Sequence, residues 1–527
     1  MCMGMSSTGA GNVSEVAVSL EALEPLVTAP ETDATFPVEA PFTGDEIGRL
    51  PACVSADVEA AFDRAAEAQT DWRDRDVSDR AAVFIRYHDR IIDNREELLD
   101  LIQYETGKAR RHAYEELLDV AITARYYAYR AESFLETEPR AGALPGMTET
   151  TVNYRPVGTV GIISPWNYPL SLSVSDAIPA LLAGNAVVLK PDEQTSYTAL
   201  KAFELLLEAG LPDDLVQIVT GDGPTIGEPL VANADYVCFT GSTETGRAVA
   251  SQAGRHLTDC SLELGGKNPA IVRADADIDR AAEGLVRGCF TNAGQLCLSI
   301  ERLYVHEAIY DRFLDAFVAA VESMPLGTDY SYDIEMGSLI SGSHLEAVEQ
   351  YVEDAVAGGA TVLTGGSPRP DIGPYFYEPT VLEDVDESMA LCAEETFGPV
   401  VAVSAYSDDA DAIERANDTD YGLNAAVWTD DLDAGRQLAE RIDAGTVNVN
   451  ESYAAAWASL DAPMGGMKDS GVGRRHGEVG LSRYTEAQTV AVQKHLGMTA
   501  PPGVPYWLYA GVMSRLLKLQ RRVPGLR

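Results

Sequence analysis

The spacing of apolar positions changes character along the chain. Residues 1–50, rich in Pro, Gly and Thr, hold no sustained period and predict irregular chain. Over 55–140, apolar residues recur at helical spacing, as in Val58, Ala61 and Ala65 and in Phe84, Tyr87 and Ile91. That predicts helices with one buried face. The pattern then becomes alternation. Short β-rich runs at 157–163, 186–189, 215–219 and 236–240 are separated by helical stretches such as 199–209 and 244–253. A second series follows Glu263. It has strands at 270–272, 302–305, 361–363, 400–404 and 445–450, and helices at 278–290, 308–321, 343–357 and 410–416. Strands alternating with helices at this spacing predict α/β architecture, in two doubly wound lobes that meet at a cleft. No internal repeat is visible.

Two segments stand apart. Residues 156–175 carry no charge over a length that could span a bilayer, but Pro165, Pro169, Gly158, Gly161 and several serines interrupt them. Buried strand plus loop is the expectation. After Glu486 no acidic residue follows, while Lys494, Arg515, Lys518, Arg521, Arg522 and Arg527 are basic. Tyr509, Val512, Leu516, Leu519 and Val523 recur at helical spacing between Pro505 and Pro524, which predicts an amphipathic helix with a basic face. The expectation is docking onto the protein's own acidic body or a sister subunit. A membrane surface is the rival, weakened because one short apolar face binds lipid poorly.

Charge narrows the function classes. The 527 residues include 39 basic and 82 acidic ones, for a net charge of −43. Nucleic-acid binding is excluded, since it needs a basic footprint. Only seven of the basic residues are lysines. An acidic, lysine-poor surface fits a salt-loving cell, because such self-repulsion strains a fold unless salt screens it. Seven scattered cysteines without a CxxC pair, and histidines without an HExxH cluster, predict no disulfide framework and no metal site. A reducing cytoplasm fits, and no basic n-region followed by an apolar h-region suggests a signal peptide.

Candidate chemistry lies in the glycine turns and around one cysteine. Gly221-Asp-Gly223-Pro-Thr-Ile-Gly227 nearly matches a dinucleotide fingerprint, with one residue too many. Gly241-Ser242-Thr-Glu-Thr-Gly246 follows an apolar strand and opens a helix, where backbone N–H groups would face a pyrophosphate. Cys297 lies among small residues in Thr291-Asn-Ala-Gly-Gln-Leu-Cys297, and Glu263 precedes a glycine pair. Lysine is so rare here that Lys190, Lys267 and Lys468, each in a Gly- or Pro-bounded motif, become site candidates.

These segments form an ordered set: Pro165-Trp166-Asn167-Tyr168-Pro169, Lys190-Pro191, Phe239-Thr240-Gly241-Ser242, Glu263-Leu264-Gly265-Gly266-Lys267, Gly294-Gln295-Leu296-Cys297, Glu395-Thr396-Phe397-Gly398-Pro399 and 463–471. The set resembles the aldehyde dehydrogenase superfamily over roughly residues 35–495. The resemblance implies an NAD(P)-binding domain over 1–138 and 156–263, a catalytic domain over 264–483 and an oligomerisation β-arm over 139–155 and 484–493. Residues 494–527 form the basic extension. It implies Cys297 as nucleophile, Glu263 as the base that activates water, and Asn167 as an oxyanion donor. Trp166, Lys190, Glu193, Gly223, Gly241, Ser242, Leu264, Glu395 and Phe397 are the implied cofactor contacts. NAD is the expected cofactor, with NADP as the alternative, because Glu193 would repel a 2′-phosphate.

The departures bear on mechanism. Asp176 stands where many members carry a lysine, and Ser299 where a redox-switched subset carries a second cysteine. The motifs sit nearest a succinate-semialdehyde dehydrogenase group, which makes succinate semialdehyde the first substrate expectation. The carboxylate-binding arginines of better-known enzymes of that kind are replaced here by Ser175 and Thr291. With Tyr453 and Trp457 at the expected entrance, an apolar or aromatic aldehyde is the alternative. A coenzyme-A-acylating enzyme is disfavoured by Glu263, and an inactive binding protein on the same fold by the intact trio. A homodimer or homotetramer is expected.

Overall fold

A computed structural model describes residues 18–30, 32–142, 148–386, 388–494 and 499–522. Where β-rich runs alternate with helices, two mainly parallel sheets form. The first contains β1 (Thr159–Ile163), β2 (Ala186–Lys190), β3 (Val216–Ile218), β4 (Tyr236–Thr240) and β5 (Asp259–Glu263). Its order is β5-β4-β1-β2-β3, all parallel, with the two-residue strand Gly471–Val472 antiparallel on the β5 edge. The chain builds outward from β1 in one direction and then, through β4, in the other. Such a reversal opens a crevice at the carboxyl ends of β1 and β4.

Helices Ser55–Arg73, Val77–Asp93, Arg95–Thr106 and Arg110–Phe134 contribute to the hydrophobic core around this sheet. Their inward faces follow the sequence period: Val58, Ala61, Ala65, Phe84, Tyr87 and Ile91 are all fully buried. The second sheet contains β6 (Asn268–Val272), β7 (Ile300–His306), β8 (Thr361–Thr364), β9 (Thr380–Glu383), β10 (Val400–Tyr406), β11 (Asn424–Trp428) and β12 (Thr446–Val449). Its order is β8-β9-β10-β7-β6-β11-β12, and only the β8–β9 pair is antiparallel. Strands Glu138–Arg140, Thr148–Pro156 and Thr485–Gln493 form a separate antiparallel sheet.

Three expectations need correction. Thr35–Ala40 and Asp45–Pro51 pair as an antiparallel hairpin inside the stretch read as irregular. Pro37 and a register shift at Val38/Glu39 break the alternation that would have signalled it. The uncharged run 156–175 contains, besides β1 and a loop, the short helix Pro169–Val174, with proline at its first position. The tail forms the expected helix, Tyr506–Gln520, but none of its residues is buried, and Trp507 is 75% exposed. Among the described residues of one chain it therefore does not dock on the acidic body. The spacer Pro501-Pro502-Gly503-Val504-Pro505 precedes it, and these residues are exposed or half-buried. Residues 1–17 and Val523 to Arg527, parts of the sequence expectations, lie outside the described residues.

Candidate active site

The crevice between the two sheets is a cleft of about 270 Å³. Trp166 and Asn167 reach it from the loop after β1, Gly241 and Ser242 from the loop after β4, and Glu263 and Leu264 from the end of β5. Cys297, Glu395 and Phe397 close it from the other lobe. Nine of the twelve residues expected at the site thus share one cavity. Lys190, Glu193 and Gly223 do not line it. They sit at or after the carboxyl ends of β2 and β3, farther along the same sheet edge.

Cys297 is held by an unusual loop. Asn292, Ala293 and Gly294 take consecutive left-handed conformations, with φ of 54°, 55° and 73°. Two non-glycine residues there carry backbone strain that the surroundings must maintain. Hydrogen bonds do so. The Asn292 amide donates to the carbonyls of Asn167 (3.1 Å) and Gln295 (3.0 Å), and the Asn292 N–H donates to His112 Nδ1 at 3.1 Å. Asn268 donates to the Cys297 carbonyl at 2.7 Å. Gly294 is required, because a Cβ there would strike the Gly398 backbone. The Asn167 amide donates to the Gln295 carbonyl at 3.1 Å. A primary amide has two N–H groups, so one is left to face the cavity.

Burial dominates the electrostatics. It pushes the Cys297 thiol up to about 12, helped by the carboxylates of Glu395 and Glu263 and opposed by Arg475. The resting group is a thiol that needs a base. Burial raises Glu263 to about 7, with Arg475 and Arg483 opposing, and its buried Oε1 has no hydrogen-bond partner among the described residues. A buried carboxyl with that proton affinity, facing a cleft, is suited to general acid–base work near neutral pH. Glu395 is raised to about 8, first by burial and then by Glu301, and accepts the Gly266 N–H at 3.0 Å.

The dinucleotide fits this surface. Helix Thr243–His256 begins at the cleft with Ser242 as its cap, so its first N–H groups suit a pyrophosphate. Gly223, at the start of Gly223–Asn233, has open space around it. Lys190 and Glu193 pair at 3.3 Å beside β2, where hydroxyls of an adenosine ribose could be held. Trp166 and Phe397 meet edge to face, 5.5 Å between ring centres. Among the described residues, no group of three His, Cys, Asp or Glu side chains could hold a metal.

Of the three rare lysines singled out on sequence, Lys190 pairs with Glu193 beside β2, and the other two have structural partners. Lys267 is buried against Glu301 and donates to Thr396 Oγ1 at 3.1 Å, and Glu301 in turn accepts the Thr396 and Phe397 N–H groups. It is a strut beneath Glu395 and Phe397, not a ligand. Lys468 donates to the carbonyls of Asn417 and Thr419.

Of the second cavity, sequence reasoning named Ser175, Tyr453 and Trp457 and missed the rest of the lining. A narrow tunnel of about 60 Å³ meets Cys297 and Asn167 from the other side. Its apolar wall includes Tyr168, Leu172, Leu296, Leu298, Trp457 and Met464. Glu115, Asp119, Ser171, Ser175, Tyr453, Arg475 and His476 complete it. Glu115 and Asp119 come from helix Arg110–Phe134, none of whose charged residues the sequence singled out. Lys108, a buried lysine that the rarity of lysine did not single out, contacts Glu116 and donates to the Asn167 carbonyl at 2.6 Å.

Comparison with known proteins gives a consistent result. The model of the aldehyde dehydrogenase family matches residues 27–490. A protein of Mycolicibacterium smegmatis with the provisional name succinate-semialdehyde dehydrogenase (NADP(+)) is 51% identical over 505 residues, 95% of this chain and 98% of that one. A phenylacetaldehyde dehydrogenase of Pseudomonas fluorescens is 37% identical, over 88% of this chain and 93% of its own. A crystal structure of betaine aldehyde dehydrogenase from Staphylococcus aureus in complex with NAD+ superposes with a TM-score of 0.85. It is 33% identical and covers 92% of this chain and 99% of that one.

Proposed function

The chain belongs to the aldehyde dehydrogenase family, an NAD(P)-dependent oxidoreductase, and we propose that its Cys297, Glu263 and Asn167 carry out the oxidation of an aldehyde to a carboxylate. The observation that carries this reading is the position of Cys297 and Asn167 on both cavities, with the cleft on one side and the tunnel on the other. An aldehyde entering by the tunnel meets the thiol, and Cys297 Sγ bonds its carbonyl carbon. The Cys297 proton leaves to a base, and the developing oxyanion accepts from the free Asn167 N–H and the Cys297 backbone N–H. A bound nicotinamide accepts the hydride. The acyl group then remains as a thioester on Cys297. Glu263 takes a proton from a water that attacks it, which releases the acid and restores the thiol. The presence of Glu263 favours hydrolysis over transfer to coenzyme A.

Cofactor contacts follow the sheet edge. Gly241 and Ser242 meet the pyrophosphate, Lys190 and Glu193 hold the adenosine ribose, and Gly223 and Leu264 are further cofactor contacts. Glu395 holds the nicotinamide ribose, with Phe397 and Trp166 beside the ring. NAD is the preferred form, since Glu193 opposes an added 2′-phosphate. Residues 1–138 and 156–263 form the cofactor domain, 264–483 the catalytic domain, and 139–155 with 484–493 the arm of a cytoplasmic dimer or tetramer. The acidic surface is that of a salt-loving cell's protein.

Succinate semialdehyde is the first substrate, by the names of relatives 51% identical to this chain. One observation favours a second. The tunnel is mostly apolar and aromatic, and the carboxyls of Glu115 and Asp119 line it. An apolar or aromatic aldehyde would suit that wall. NADH formation by the full chain in molar salt, across succinate semialdehyde, phenylacetaldehyde and a linear alkanal, ranks them by kcat/KM. A Cys297→Ala variant that still turns over any of them would overturn the reading.

A further inference from the structure

Beside Glu263 lies a buried cluster of charges that the reaction described above leaves unused. Asp176, 4% exposed, accepts from Arg475 Nη2 and from Arg483 Nη2, each at 2.6 Å. Arg483 Nη2 also donates to the Tyr484 hydroxyl at 2.6 Å. Burial opposes the charge on Asp176, but the two arginines hold its carboxyl below the ordinary value. Guanidinium groups do not deprotonate in proteins. Two cations therefore face one anion, and the cluster carries one net positive charge.

The backbone aims this charge at the site. Met464 and Arg475 exchange N–H···O bonds of 2.8 and 2.7 Å. The next residue, Gly465, lies so close to Glu263 that a Cβ there would be 3.0 Å from Oε1. Gly471 pairs with Glu263 across the sheet edge. One loop thus wraps Glu263 and brings Arg475 beside it. Arg475 also reaches the tunnel wall that Cys297 shares.

We propose that the Asp176–Arg475–Arg483 cluster is a positioning element that keeps Glu263 available as a carboxylate, with Arg475 as its working member. The inference rests on Glu263 being the base of thioester hydrolysis. A carboxylate in a buried site loses hydration and tends to hold its proton; a neighbouring cation counters that. Arg475, Arg483 and Arg474 favour the ionised form of Glu263, and Asp176 works with burial against it. At the Cys297 thiol, too, Arg475 is the cation that opposes burial, Glu395 and Glu263. The resemblance leads one to expect a lysine at 176. This chain has an acid there, and arginines 475 and 483 supply the positive charge instead.

The test is the pH profile of steady-state turnover for the full-length enzyme, read together with the NADH burst. Arg475→Gln should move the acid limb to higher pH by about one unit, so the rate falls roughly tenfold below neutrality and recovers in alkali. The burst should stay near one per site, and Arg475→Lys should restore most of the profile. Asp176→Asn keeps an acceptor oxygen but removes the anion, and should move the limb to lower pH. Opposite displacements are something a merely structural role would not produce. Midpoints unchanged in both variants, or displaced in the same direction, would overturn the proposal. If Arg475→Gln does not fold, the direction of the Asp176→Asn shift decides. Glu263→Gln separates the two layers: wild-type turnover there refutes the base reading itself. If that reading stands, adding Arg475→Gln to Glu263→Gln should shift nothing further.

Discussion

Replacing Lys108 by Met should destabilise the enzyme and slow it, for reasons that the geometry makes separable. Lys108 and Glu116 have fully buried side chains in contact with each other. The ammonium also donates to the Asn167 carbonyl at 2.6 Å and lies 3.9 Å from the centre of the Tyr168 ring. The other Glu116 oxygen accepts the N–H groups of Leu170 (2.9 Å) and Ser171 (3.2 Å). One buried pair therefore clamps residues 167–171, which carry the oxyanion donor. Burial pushes each partner toward its neutral form, and each charge holds the other ionised. Met fills much of the lysine's volume but leaves Glu116 buried and unpaired. Breaking such a pair from one side costs about 3–5 kcal/mol, whereas removing both charges is often nearly neutral. Thermal unfolding and kcat should be measured for Lys108→Met, Glu116→Gln and the double variant. The single variants should unfold well below the wild type. The double should recover most of that loss, because Gln can still accept one of the backbone N–H groups. Its kcat should remain down by at least about tenfold, since small displacements of a positioned group cost up to ~10²-fold. Losses in stability that simply add in the double variant, or a Lys108→Met enzyme with wild-type kcat, would refute the clamp.

Four further outcomes are expected. Glu263→Gln should lose about 10²–10⁴-fold in steady-state rate, since general-base catalysis is worth that much; a rapid-mixing NADH burst survives if Glu263 acts mainly at deacylation, and its loss would make Glu263 the base for Cys297 as well. In the wild type the base works as a carboxylate and its pKa stands at about 7, so turnover should fall as pH drops through that value. A Gln variant with the same acid limb would assign the limb elsewhere. Glu193→Ala should raise kcat/KM for NADP relative to NAD, and a wild-type enzyme that already prefers NADP would contradict the cofactor reading. Removing residues 499–527 should leave the unfolding of the single chain unchanged, because helix Tyr506–Gln520 buries nothing within it. Light scattering should show weaker assembly. Unaltered assembly together with vesicle binding by the intact chain would transfer the helix to a lipid surface.

The chain's own pattern determined more of the fold than of the site. Tyr236–Thr240 and Ile278–Phe290 were legible to the residue, and the other elements predicted to within a few, because helical and strand periods are written into adjacent positions, while strands Asp259–Glu263, Thr380–Glu383 and Asn424–Trp428 were not predicted. The order of the motifs sufficed to single out Cys297, Glu263 and Asn167. Net charge, lysine poverty and the helical tail were also present in the sequence alone. Proton affinities were not. Glu263 and Cys297 are displaced chiefly by burial, and burial is supplied by residues distant along the chain. The same holds for the lysines. Lys190 and Lys267 sit in similar-looking motifs, yet one pairs with Glu193 at the end of β2 and the other is locked to Glu301. The tunnel needed Glu115 and Asp119 from one helix to meet Tyr453 and Arg475 from far downstream. The exposure of the tail helix is likewise decided by what packs against it, not by its period. Local pattern fixes which face of an element is apolar; only the assembled chain fixes what that face, or a charge beside it, encounters.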